Sequence, residues 1–366
     1  MNIKEYIEKA KGDRASDLHL VCALPPKYRV DGEIRDLEPT PITAQQCEEL
    51  ARELAGENFG QLESAGELDL ALTIAGVRCR ANLFRQQGFY SAAIRLLNGH
   101  IPQLEELGLP EVVREFAAYN QGLVLITGET GSGKSTTLAA LLNQINHTQR
   151  LHILTLEDPV EYIYTPDQCL INQREIGRDT MSFAAGLRAA LREDPDVILV
   201  GEMRDLDTIQ TALTAAETGH LVFGTVHTNS AADSIDRIVD VFPAERQQQI
   251  RLQLSMTLKA VLSQQLLPRN GKPGRVLACE VMKTDDAIRN LIREGKTPQI
   301  QNSIQTSGAI GNILMDRSLQ NLYRSGAISL ETMEGALRGG SSQTAAAPMG
   351  GPMGTGLGGR PRGFGR

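Results

Sequence analysis

Two kinds of hydrophobic spacing divide the chain. Up to about residue 97 apolar and polar side chains alternate in short stretches broken by glycine, and beyond residue 120 unbroken apolar runs alternate with helical stripes. In the first region Tyr28-Arg29-Val30 and Glu33-Ile34-Arg35 flank Asp31-Gly32, while residues 68–74 and 77–84 flank Ala75-Gly76. Both patterns predict β-hairpins with two-residue turns. In the last arm Val77, Cys79, Ala81 and Leu83 alternate with Arg78, Arg80 and Asn82, which puts two arginines on one face of the sheet. Thr43 with Gln46 forms a capping box that opens a helix reaching about Ala55. The first hundred residues read as a small mixed α/β domain, followed by turn formers at Asn98-Gly99-His100-Ile101-Pro102.

In the second region residues 123–127, 153–156, 197–200 and 221–226 predict short apolar strands separated by helices, the signature of a parallel sheet covered on both faces. Phe183, Leu187, Ala190 and Leu191 fall on one helical stripe that Pro195 stops. From Ala244 onward the spacing predicts a largely helical segment with Ile250, Leu254, Leu258, Val261 and Leu262 on one apolar face.

The junction between the first of these strands and its helix carries the strongest chemistry. Gly128-Glu129-Thr130-Gly131-Ser132-Gly133-Lys134-Ser135 fits G-x-x-x-x-G-K-[ST], and Thr136, a further nucleotide-binding candidate, continues into a run of helix formers. In a strand–loop–helix the amides of Gly128, Thr130, Gly131, Ser132 and Gly133 and the positive helix end converge on phosphate oxygens; Lys134 reaches the outer phosphates and the Ser135 hydroxyl ligates magnesium. A chance match of the four fixed positions occurs in roughly one chain in a hundred of this length. The flanking strand and helix therefore point to binding of a nucleoside triphosphate, ATP with Mg²⁺.

Triphosphate hydrolysis also needs a carboxylate near the attacking water and groups that sense the γ-phosphate, placed just after sheet strands. Three segments obey that rule. Glu157-Asp158-Pro159-Val160-Glu161-Tyr162 follows the second strand, with a solvated acidic turn as its plain alternative. Gly201-Glu202-Met203-Arg204-Asp205 follows the third and has the form of a Walker B segment with Glu202 as its acid. Gly219-His220 and Thr225-Val226-His227-Thr228-Asn229 bracket the fourth, and a ring N–H there can donate to γ-oxygens and lose that contact on hydrolysis.

Composition narrows the class. The 366 residues suffice for two cores, the apolar fraction of 41% is that of a soluble globular chain, and no apolar run approaches bilayer length. Met1-Asn2-Ile3-Lys4-Glu5 lacks the pattern of a secretion signal, so a cytosolic protein is expected. Cys22, Cys47, Cys79, Cys169 and Cys279 contain no C-x-x-C pair and predict free thiols. The net charge of −7 gives no basic footprint and argues against nucleic acid as a partner. From about Gly339 glycine, alanine, proline and serine dominate, which predicts a disordered tail.

Together the P-loop, the EDPVEY box, the VGEMRD segment and the TGHLVFGTVHTNSA box resemble, in order and spacing, the secretion-type hexameric ATPases of type II secretion and type IV pilus machines. Ala15-Ser16-Asp17-Leu18-His19-Leu20 and Ala287-Ile288-Arg289-Asn290-Leu291-Ile292-Arg293-Glu294-Gly295-Lys296 are similar to the pilus-retraction branch. The resemblance implies a PAS-like N-terminal domain over 1–98, a linker over 99–112, a RecA-like P-loop NTPase domain with a helical C-terminal part over 113–338, and a Gly-rich tail over 339–366. It further implies a homo-hexamer acting on an inner-membrane pilus platform protein, peripheral to the cytoplasmic face of the inner membrane. By the same resemblance Glu161 is the general base, Glu202 the Walker B glutamate, His227 the γ-phosphate sensor, and Arg80 and Arg95 neutralise phosphate charge. The alternatives are an assembly or secretion ATPase of the same family and a nucleic-acid translocase. Glu129 departs from the family's frequent proline, and Gly311-Asn312-Ile313-Leu314-Met315-Asp316 departs from its usual C-terminal pattern.

Overall fold

The protein, here a computed structural model, is described over residues 2–30, 32–97 and 99–341. Asp31 of the first hairpin turn, Asn98 of the connector and the tail from residue 342 lie outside the described residues. The N-terminal part runs α1 (Ile3–Gly12), β1 (Asp17–Leu20), β2 (Lys27–Val30), β3 (Glu33–Asp36), α2 (Ala44–Ala55), α3 (Phe59–Ala65), β4 (Glu67–Ile74), β5 (Val77–Gln86) and β6 (Phe89–Leu96). Its six strands form one antiparallel sheet in the order β3-β2-β1-β6-β5-β4.

The expected second hairpin is present. Ile74 pairs with Val77, and both turn residues are left-handed, Ala75 at φ 50° and Gly76 at φ 69°. Thr43 and Gln46 close the capping box of α2. One face of the sheet is sealed by the helices, with Ile7, Leu50 and Leu62 against Leu18, Cys79, Leu83 and Ile94. The alternation of β5 then forces Arg78, Arg80 and Asn82 onto the opposite face.

The larger part continues β7 (Gly122–Thr127), α4 (Lys134–Thr148), β8 (His152–Glu157), β9 (Leu170–Glu175), α5 (Phe183–Ala190), β10 (Val197–Val200), α6 (Leu206–Glu217), β11 (Leu221–Val226), α7 (Ala231–Asp240), α8 (Ala244–Thr257), β12 (Leu258–Pro268), β13 (Arg275–Lys283), α9 (Asp286–Glu294), α10 (Ile300–Thr306), α11 (Met315–Arg324) and α12 (Leu330–Ser341). Seven strands lie in the order β13-β12-β7-β11-β10-β8-β9, parallel except for β13. β7, β10 and β11 are buried at every residue, as their unbroken apolar runs require. Residues 104–118 form two 3₁₀ segments whose Leu104, Val113 and Phe116 pack with Val124, Ile126 and Leu141, so part of the expected linker belongs to this core.

One element contradicts the spacing. Leu258, Val261 and Leu262 do not extend the helix of Ile250 and Leu254; they lie on β12, which pairs parallel to β7 and antiparallel to β13. A short apolar stretch fits a buried strand as well as a helix face, and here two neighbouring ladders decide in favour of the strand. The helical extension resumes at α9, and α12 runs through Ser341, past the expected start of the tail at Gly339.

Glu280 on β13 is buried among these elements, and its Oε1 accepts the backbone N–H of Ala231, the first residue of α7, at 2.7 Å. Burial pushes its carboxyl up to about 7, against hydrogen bonds from the backbones of Ala231 and Met315. The unfolded chain titrates it near 4.5, so the fold favours the protonated group. The stability it gives at low pH is lost as pH rises from about 4.5 through about 7, on the order of 3 kcal/mol at about 1.4 kcal/mol per pKa unit. Glu280→Gln keeps an oxygen for Ala231 and removes the charge. The variant is therefore expected to raise Tm at pH 8 and to change it little at pH 4.5; equal shifts in the two thermal melts would refute this assignment.

Candidate nucleotide site

β7 ends at Thr127, and the chain turns through Gly128 to Gly133 before α4 begins at Lys134. The loop needs its glycines. Gly128 sits at φ 140°, and a Cβ there would fall 2.4 Å from the Gln264 carbonyl and 2.5 Å from Ser132 Oγ. Gly131 and Gly133 are left-handed at φ 80° and 94°. Ser132 Oγ is buried without a hydrogen-bond partner among the described residues, a polar atom in the cradle that a phosphate oxygen can satisfy. Lys134 Nζ donates to the carbonyls of Gly128 at 2.7 Å and Glu129 at 2.9 Å. Burial lowers its pKa, while the charges of Glu202, Glu129 and Glu161 work in the other direction.

The strand ends beside the loop supply the acids. Ser135, Glu157, Asp158, Glu161, Tyr162 and Glu202 line one cleft. Gly201 N–H donates to the Leu156 carbonyl at 2.8 Å and Met203 N–H to the Thr225 carbonyl at 3.0 Å, so the Walker-like segment is held between the ends of β8 and β11. Gly224 makes room for it, since a Cβ there would meet Met203 Sδ at 2.3 Å. Asp205 is committed to structure: it caps α6 by accepting from Thr208 N at 2.9 Å and Thr208 Oγ1 at 2.7 Å. Burial opposes its charge, but those hydrogen bonds hold its carboxyl below the ordinary range.

Glu202 Oε1 contacts both Arg204 Nε and, at 3.0 Å, His227 Nε2. Burial first, then the Lys134 charge, lowers the His227 pKa, and Glu202 only partly offsets them. A neutral ring in this position donates Nε2–H to Glu202. His220 lies elsewhere. It precedes β11 and its Nδ1 contacts the Ala215 carbonyl at 3.0 Å, roughly 20 Å of strand away from the P-loop end. Its phosphate-sensing reading is thereby withdrawn.

Arg80 and Arg95 sit on the N-terminal sheet as directly opposed residues of β5 and β6. Arg95 Nε pairs with Asp17 Oδ1 at 3.1 Å, and among the described residues no hydrogen bond or ion pair joins either arginine to the P-loop. Further contacts knit the site together. Arg275 Nη1 donates to the Gly131 carbonyl at 3.4 Å, and Asn229 Nδ2 donates to Glu129 Oε1 at 3.3 Å. Gln173 Nε2 donates to the Tyr162 carbonyl at 2.8 Å and to Glu157 Oε1 at 3.2 Å. Thr136 Oγ1 and Tyr162 Oη lie 2.9 Å apart, which links the first turn of α4 to the acidic box. Motifs mark Asn229, Thr136 and Tyr162, whereas nothing in the sequence singles out Arg275 or Gln173.

The donor set also fits magnesium in a particular way. Among the described residues no cluster of three or more His, Cys, Asp or Glu is close enough to hold a metal alone. A hard cation that keeps waters and shares substrate phosphates needs only the Ser135 hydroxyl and nearby carboxylates from the protein. The cysteines are free, four of them buried, and among the described residues no helix is long and apolar enough to cross a membrane.

Comparison with known proteins shows what the chain as a whole is similar to. Residues 1–344 match the family described as type II/IV secretion system protein. The type IV pilus retraction ATPase PilT of Pseudomonas aeruginosa is 49% identical over 333 residues, covering 90% of this chain and 96% of that one. A twitching motility protein of Neisseria gonorrhoeae is 45% identical over 327 residues, covering 89% and 86%. A crystal structure of the pilus retraction motor PilT with bound ADP superposes with a TM-score of 0.87 at 48% identity, covering 92% of this chain and 97% of that one.

Proposed function

The chain belongs to the type II/IV secretion system protein family, and from that premise we propose that it is an ATPase motor driving retraction of type IV pili. One observation carries the reading: Ser135, Glu161 and Glu202, predicted from three separate motifs, face a single cleft beside the P-loop. The identity to retraction ATPases over nine-tenths of the chain extends it from hydrolysis to the machine served.

The loop amides and Lys134 grip the β- and γ-phosphates. Magnesium, which neutralises phosphate charge when bound, would be held by Ser135. Glu161 takes a proton from water as the water oxygen attacks the γ-phosphorus; the bond to the bridging oxygen breaks, and ADP leaves. Glu202 orients the water and the His227 ring. His227 exchanges its Glu202 acceptor for a γ-oxygen and returns when phosphate departs. Arg80 and Arg95 bring positive charge to the phosphates from an N-terminal sheet within a homo-hexamer. The work is delivered to an inner-membrane platform protein from the cytoplasmic side, so that pilin subunits leave the fibre.

Deletion of the gene in its native host tests the direction of work. Hyperpiliated cells that no longer twitch are the expected result. Cells without pili would assign the motor to assembly instead.

A further inference from the structure

Arg78 lies on the face of β5 turned away from the N-terminal core, yet its side chain is only 10% exposed. What covers it is the acidic box of the larger sheet. Its Nε donates to the Val160 carbonyl at 2.9 Å and its Nη2 to Glu175 Oε2 at 2.8 Å. Glu175 Oε2 also accepts the Val160 N–H at 3.1 Å, which closes a ring of three hydrogen bonds around one residue. Val160 immediately precedes Glu161. The carbonyl that Arg78 holds belongs to the same peptide unit as the Glu161 N–H, and that N–H favours the ionised form of the neighbouring half-buried Glu157 carboxyl. Glu157 is in turn fixed by Thr155 Oγ1 at 2.7 Å and Gln173 Nε2 at 3.2 Å.

Val160, and with it the peptide that leads into Glu161, is therefore pinned at its carbonyl by the N-terminal sheet and at its N–H by Glu175 of the larger sheet. We propose that Arg78 is a positioning residue for hydrolysis, through which the N-terminal sheet sets the aim of the Glu161 carboxylate. This rests on the reading of Glu161 as the base. Arg80 is two residues along the same strand and face, so any rotation of the sheet that repositions Arg80 also pulls on the Val160–Glu161 peptide. The same movement thus changes the phosphate charge and the orientation of the base together. A displacement of about 1 Å at a reacting group costs on the order of a hundred-fold in rate, so a clamp on this backbone is enough to switch turnover.

Steady-state ATPase assays of the full chain test it. Arg78→Ala is expected to lower kcat about ten- to hundred-fold with KM for ATP within about two-fold of the unaltered chain. Arg78→Ala also leaves a buried carboxylate without its cation, so Arg78→Lys is measured beside it. Lysine keeps the charge but lacks the fork that serves Val160 and Glu175 together, and its kcat should fall between the two at an unchanged Tm. Adding Arg78→Ala to Glu161→Gln should slow the residual rate no further. A folded Arg78→Lys or Arg78→Ala chain with unaltered kcat, a rise confined to KM, or a full additional loss in the Glu161→Gln background overturns the proposal. Glu161→Gln turning over at the unaltered rate removes the base assignment and this inference with it. A slow Glu161→Gln beside an unaltered Arg78→Ala removes the inference alone.

Discussion

Lys134→Ala is expected to reduce ATP turnover at least about a hundred-fold, the loss that follows removal of one preorganised charged donor from a dry site. The Lys134 ammonium is half-buried, its pKa is lowered by that burial, and its Nζ rests on the Gly128 and Glu129 carbonyls at the mouth of the loop. No other lysine or arginine among the described residues donates from α4 into this loop. The substitution leaves the glycine conformations intact, because they are set by the backbone and by the Gln264 and Ser132 contacts of Gly128. Nucleotide affinity should fall together with kcat, and Tm should stay within a few degrees. An alanine chain hydrolysing ATP at the unaltered rate would detach the P-loop from catalysis.

Glu161→Gln is expected to separate binding from chemistry. General-base catalysis contributes about 10²- to 10⁴-fold, and glutamine keeps the shape of the side chain while losing its basicity. Rapid-mixing assays should find kcat lower by about a thousand-fold within that range, with Kd for ATP changed by less than about three-fold. The carboxylates within reach are unsuited to replace it: Glu157 is half-buried, hydrogen-bonded and raised in pKa mainly by desolvation, and Glu202 is engaged by Arg204 and His227. A comparable loss of affinity would instead make Glu161 a ligand of the bound nucleotide complex.

How much of this was legible beforehand follows from how local each signal is. The P-loop, the Walker-like segment and the histidine box are each written in a few consecutive residues after an apolar strand, so Lys134, Glu202 and His227 could be placed from spacing alone. The hairpin at Ala75-Gly76 and the Thr43 cap were legible for the same reason. β12 was not, because Leu258, Val261 and Leu262 carry an apolar pattern that only the neighbours β7 and β13 resolve. Arg78 was visible as a face-sharing arginine, but nothing in β5 announces that it meets Val160, 82 positions away, or Glu175, 97 away. Gln173 and Arg275 likewise act through tertiary contacts that leave no mark in their own surroundings. His220 was misread because strand adjacency was taken without its polarity: it lies at the end of β11 opposite the loop.

The opposed pair Arg80 and Arg95 has a further consequence. Side chains directly across neighbouring strands stand about 5 Å apart, inside the Debye length of about 8 Å at 0.15 M salt. Asp17 neutralises only the Arg95 side of this couple, whose guanidinium is itself exposed. Mutual repulsion is thus built into the outer face of the N-terminal sheet, and counterions relieve it. Rising ionic strength screens this repulsion while it weakens the hold of the P-loop on a polyanion, so the two clusters of positive charge respond to salt with opposite signs.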